Sequence, residues 1–132
     1  FCYQEFLANI ASLYVQLAIR CQEFPPNLVV YSIEQYPPFD HCETVSMTNA
    51  IFTLLQSNPN PEFLEPVALA FIRFFVQEDA KIEKSNVSDE LKGAMVQFLK
   101  SACTQESIFM TIKSSYSRQR SKLIKIEAIL NS

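Results

Sequence analysis

From Tyr3 to Cys21 the apolar side chains at 3, 7, 10, 14, 17 and 21 follow the alternating four-and-three spacing that lines one face of an α-helix. Glu5, Asn9, Ser12, Gln16 and Arg20 form the opposite stripe, while Phe6, Val15 and Ile19 widen the apolar side, so this helix should meet more than one neighbour. Phe24-Pro25-Pro26 ends it, because proline lacks the backbone donor and disfavours helical geometry in the residue before it. Asn27 is placed to cap a short second helix, about 28–35, which Tyr36-Pro37-Pro38-Phe39 stops in turn. Asp40 and Glu43 then have the spacing of a capping box, opening a third helix that runs to about Gln56. Its pattern predicts Val45, Thr48, Phe52 and Leu55 on one face, with Met47, Ile51 and Leu54 beside them.

Asn58-Pro59-Asn60-Pro61 is a compact break in which Asn60 suits a cap and Pro61 the first helical position. The fourth helix, to about Gln77, has Phe63, Val67, Ala70 and Phe74 on one line, Leu64, Phe71 and Phe75 on another, and Leu69, Ile72 and Val76 filling the remainder. A helix apolar on nearly every side belongs in the middle of a fold. The polar stretch 78–87 reads as a flexible connection, after which Ser88 caps a fifth helix and Asp89 and Glu90 favour its positive end. Leu91, Met95, Phe98 and Ala102 mark the face that helix should bury. Thr104 starts a sixth helix carrying Ile108, Phe109, Ile112 and Tyr116, and after a break at 114–117 a last amphipathic helix carries Leu123, Ile126 and Leu130. No segment alternates with the two-residue period of a strand, so the fold should be all-α.

Composition sharpens this picture chiefly through glycine. A single Gly93 in 132 residues leaves almost nothing for the tight hairpins, phosphate-cradling loops and dinucleotide folds that need positive φ or close backbone approach. Eleven phenylalanines argue against disorder throughout, and a chain this long hides roughly 68% of its unfolded surface, enough for one core without staples. The longest nearly apolar stretch, 66–76, is interrupted by Arg73 and falls well short of the ~20 residues of a membrane span. No secretory signal pattern is visible.

Six to seven helices joined by short proline or polar corners resemble the antiparallel, stacked helix pairs of HEAT and armadillo-like α-solenoids, a resemblance of helix rhythm without a consensus motif. The alternative is an irregular helical bundle. The resemblance implies a single helical domain, 1–132, that forms part of a larger scaffold. Opening directly on Phe1-Cys2-Tyr3, the first helix looks cut from a longer array, whereas Lys122, Lys125, Glu127, Asn131 and Ser132 give the last one the character of a polar terminal cap, so we expect a C-terminal fragment. An exposed apolar strip on such a module marks a missing neighbour or a groove for a partner helix.

Catalytic chemistry finds little to work with. His41 is the one histidine, and its neighbour Cys42 projects about 100° away on a helix, so the two do not form a nucleophile pair. Cys2, Cys21, Cys42 and Cys103 lack the close-pair spacing of structural zinc, and Cys21 and Cys103 fall on apolar helical positions, where reduced cysteine acts as a small hydrophobe. Reduced thiols imply an intracellular protein, cytoplasmic or nuclear. Two disulfides among the four, together with the Asn86-Val87-Ser88 sequon, would instead describe a secreted, cytokine-like helical bundle. The carboxylate pairs Glu78-Asp79 and Asp89-Glu90 sit in polar or helix-start positions that explain them. Neither proline corner contains P-x-x-P, so both read as helix stops. No cofactor, metal or small-molecule substrate is implied.

Charge singles out one surface. Residues 1–112 hold 6 basic and 13 acidic groups, net −7, while 113–132 hold 5 basic and 1 acidic, net +4. Lys113, Arg118, Arg120, Lys122 and Lys125 are therefore the candidate partner-binding residues, with 118, 122 and 125 expected on one face of a helix that starts near Arg118. An acidic protein segment is the favoured partner, since nucleic acid would meet repulsion from the rest of the chain. The expected function is a non-enzymatic protein-interaction module that accepts a partner helix or short segment through an apolar groove, the basic face, or both.

Overall fold

The computed structural model describes residues 13–21, 23–34, 36, 42–57, 60–76 and 87–131, with the backbone alone at 42 and 43. Seven α-helices and one 3₁₀ turn account for most of these residues, and no strand occurs among them. The helices are α1 (13–20), α2 (Pro26–Glu34), α3 (Cys42–Ser57), α4 (Leu64–Phe75), α5 (Asp89–Ala102), α6 (Glu106–Ser115) and α7 (Arg120–Leu130), with the 3₁₀ turn Pro61–Phe63 ahead of α4. The expected capping box at Asp40 and Glu43, together with His41, Cys2, the Cys42 side chain, Glu78-Asp79, Asn86 and all of the 78–87 connection but Val87, lies outside what is described. Val87 is itself buried and joins the core.

Local signals set most of the boundaries. Pro25-Pro26 does two jobs: it ends the chain segment after α1, and Pro26 occupies the first position of α2, where its missing N–H costs nothing. Asn27 is consequently inside α2 and exposed, not its cap. Asn60 behaves as expected, its side-chain oxygen accepting from the Glu62 N–H at 2.9 Å, with Pro61 opening the 3₁₀ turn. Ser88 accepts from the Leu91 N–H at 3.1 Å, and Asp89 and Glu90 occupy the first turn of α5. Thr104 does not cap α6; its hydroxyl turns back to the Ser101 carbonyl, and Gln105 stands at the N-cap without a side-chain bond.

Helix α4 occupies the middle. It packs most extensively on α5 and also meets α2, the 3₁₀ turn, α6 and α7. Val67, Ala68, Ala70, Phe71, Ile72 and Phe74 are all buried along it. Phe71 is the aromatic junction: its ring lies 5.8 Å from Tyr36, 5.5 Å from Phe52 and 5.6 Å from Phe98, drawing together α3, α5 and the corner after α2. These separations are those of favourable tilted and edge-on aromatic pairs.

Two faces are turned from their expected positions. In α1 the buried residues are Val15 and Ala18, while Leu17 and Cys21 are exposed. In α3 Thr44, Met47, Thr48, Ala50, Ile51 and Leu54 are buried, and Val45, Phe52 and Leu55 are only half-buried. Both helices are apolar over more than half their circumference, so spacing alone leaves the inward direction undetermined by about one residue. Helix α5 shows the same effect on a smaller scale, with Leu99 fully buried and Leu91 and Phe98 at the margin.

Candidate functional site

The half-buried line of α3 forms one wall of an apolar groove. Phe52, Leu55 and Gln56 from α3, Asn60 and Pro61 from the following turn, Leu64 from α4 and Phe98 from α5 enclose about 360 Å³. Phe52 and Phe98 both back onto Phe71, so the groove is the outer edge of the central aromatic cluster. Its polar groups are an amide at each of Gln56 and Asn60, and the Asn60 oxygen is already engaged by the 3₁₀ turn. Such a lining suits burial of apolar side chains; among the described residues it supplies no nucleophile, no base and no charge.

A second groove, about 330 Å³, lies between α2 and α4. Val30, Pro66 and Leu69 make its apolar walls, Glu34, Glu62 and Glu65 stand at its edge, and Arg73 closes one end. Arg73 is held there by the backbone. Its Nε donates to the Tyr36 carbonyl at 2.9 Å and its Nη2 to the Ile33 carbonyl at 3.1 Å, placing a guanidinium at the C-terminal end of α2, where carbonyls lack helical partners and the dipole is negative. Burial pushes the Arg73 pKa down, with Tyr116 and Glu34 acting in the opposite direction. From the sequence Arg73 registers only as an interruption of an apolar run; its two acceptors are distant in the chain, and no local pattern announces them.

Tyr36, expected only as part of a helix stop, is a buried tether. Thr48 donates its hydroxyl to the Thr44 carbonyl, which leaves its oxygen to accept from the Tyr36 hydroxyl at 2.8 Å. Burial pushes the Tyr36 pKa up to about 12, with the Thr48 bond opposing the rise.

The five candidate cations gather at the α6–α7 corner, but differently from the expected face. Helix α7 starts at Arg120, so Arg118 lies in the preceding turn and shares no helical face with Lys122 and Lys125. Lys122 is half-buried, while Arg118, Arg120 and Lys125 are exposed. Lys113 is on α6, its ammonium 4.7 Å from the centre of the Phe109 ring, a cation–π distance. At about 3.6 residues per turn Arg120, Ile124 and Glu127 fall along one exposed side of α7, with Lys125 about 100° around from Ile124, which is 59% exposed. The first turn of α7 contains no acidic residue and its N-cap, Gln119, makes no side-chain bond, so the positive end of the helix is reinforced by cations instead of being offset.

Cys21 and Cys103 carry free thiols. Burial pushes the Cys103 thiol up, away from the thiolate form that nucleophiles and metal ligands need. Among the described residues no cluster of three or more His, Cys, Asp and Glu side chains is arranged to hold a metal ion. No helix among them is long and apolar enough to cross a membrane. Comparison with protein-family models, with curated proteins and with solved structures finds no match to the chain.

Proposed function

We propose that this chain is a non-enzymatic protein-interaction module whose apolar groove at Phe52, Leu55, Leu64 and Phe98 receives the apolar side of a partner helix. The observation that carries the reading is the groove itself: four half-buried large side chains, from three helices, that the fold supports from behind but leaves facing solvent. The basic corner offers a second contact for an acidic segment. Contacts of α4 with helices as distant in order as α2 and α7 favour an irregular bundle over a one-dimensional solenoid, in which each repeat meets its neighbours only. Membership of a larger scaffold, and a cytoplasmic or nuclear setting, belong to the same proposal. A secreted two-disulfide ligand is the alternative, and the free thiols at Cys21 and Cys103 weigh against it, since two bridges would use all four cysteines.

The test is a photo-crosslinking residue at Gln56, on the groove edge, with the Leu55→Glu and Leu64→Glu variants as controls. Crosslinking to a protein partner that either variant abolishes, at unchanged helicity and melting, supports the reading. Crosslinks insensitive to both variants, or turnover of a small molecule by the chain, would overturn it. Thiol counting on the denatured, unreduced protein decides the alternative: four free thiols are expected, and two bridges would favour the secreted ligand.

A further inference from the structure

We propose that the chain associates with a second copy of itself head to tail, the Arg118–Arg120–Lys125 surface of one copy seated over the Glu34–Glu62–Glu65 groove of the next. This rests on reading the basic corner as a contact surface and is independent of what fills the groove at Phe52. The two surfaces are opposite in charge. The acceptor has three exposed glutamates around half-buried Val30, Pro66 and Leu69. Its one positive group, Arg73, is spent on the carbonyls of Ile33 and Tyr36 and stands at the end of the groove.

The donor presents the inverse. Ile124, the most exposed of the large apolar side chains among the described residues, projects beside Arg120, one turn before it, with Arg118 in the turn just upstream and Lys125 about 100° around the helix. Glu127, three residues beyond Ile124 on the same side of the helix, is its one acidic group. Arg118, Arg120 and Lys125 are all exposed. An apolar side chain with mostly cationic neighbours entering an apolar hollow edged by carboxylates gains from water exclusion at the centre and Coulomb attraction at the rim. Because the two surfaces are different patches of the same molecule, the interface is heterologous: each copy keeps one free donor and one free acceptor, and growth continues beyond two.

Sedimentation over a concentration series, at ~50 mM and ~500 mM salt, tests this on the 132-residue chain. The mean mass is expected to rise with concentration at low salt and to fall back toward one copy at high salt. A groove variant (Glu34→Lys, Glu62→Lys, Glu65→Lys) and a corner variant (Arg118→Glu, Arg120→Glu, Lys125→Glu) should each be monomeric alone. Mixed, they should associate again in alternation, since the native corner of one meets the native groove of the other and the two reversed surfaces also complement each other in charge. The milder Glu→Gln triple and Ile124→Ser should weaken association by about tenfold while leaving the circular dichroism melt in place, which separates lost contact from lost fold. A wild-type chain that stays monomeric throughout overturns the proposal, even if the Gln56 crosslink succeeds. So does association that survives reversal of either surface alone, or a mixture that forms no pair. Selective binding of a foreign basic peptide by the acidic groove of a monomeric chain would likewise replace the second copy with another protein.

Discussion

Six of the twelve residues of α4 are buried, whereas α7 buries Ile126 alone among its eleven. The first helix is tied in by an aromatic junction and by a guanidinium bonded to another helix's end; the second leans on the core and holds most of the basic charge of its region. Stability in a chain this size is a small difference between large opposing quantities, so it concentrates where apolar area is fully removed from water. A helix that contributes little to the core is free to vary its outer face, and that is where exposed charge and an exposed isoleucine accumulate. The same division separates the supported back of the Phe52 groove from its open front.

The contrast is broken most sharply at Phe71. Phe71→Ala should destabilise the chain by about 3–5 kcal/mol, read from urea midpoints, because the truncated side chain is fully buried and leaves Tyr36, Phe52 and Phe98 without their common partner. A cost below about 1 kcal/mol would remove α4 from the centre of the account. Arg73→Met comes next, at about 1.5–3 kcal/mol, with amide protection lost first at the end of α2. Lysine should fail to restore it, since one ammonium does not reproduce a planar fork aimed at two carbonyls.

Tyr36 supplies a pH dependence. Its folded pKa is raised to about 12 from an ordinary value of 10, so the neutral form is the one the fold favours. The contribution is fully present below pH about 10 and is lost as pH rises through about 12, with no effect near neutrality. Ultraviolet titration should show one tyrosine ionising near that upper value, and Tyr36→Phe should remove it. Gly93→Ala gives the smallest effect and the opposite sign. Nothing lies within 4 Å of an added Cβ there, and the residue is exposed inside α5, so the substitution should stabilise by about 1 kcal/mol.

The physical reach of each signal explains what could be read in advance. Caps and prolines act over three or four residues, which is why Ser88, Asn60-Pro61 and the strand-free, central-α4 architecture are visible in the residues themselves. Pro26 as a helix start, with Asn27 inside, requires choosing between two local roles for the same Pro-Pro pair. The inward faces of α1 and α3 depend on neighbours far away in sequence, and apolar residues on both flanks leave the rotation open. That rotation decides that Phe52 and Leu55 line a groove instead of a core. Charge clustering singled out the α6–α7 corner, but the break that puts Arg118 in a turn takes it off the helical face of Lys122 and Lys125. Arg73 and Tyr36 gave no warning, because their acceptors belong to other elements.

Native-state hydrogen exchange followed along the chain tests the division most directly, since local opening free energies separate the part that sustains the fold from the part that rides on it. Amides of α4 should exchange only through global unfolding, with those of α7 opening at a distinctly lower free energy. Protection in α7 equal to or greater than that in α4 would contradict the account.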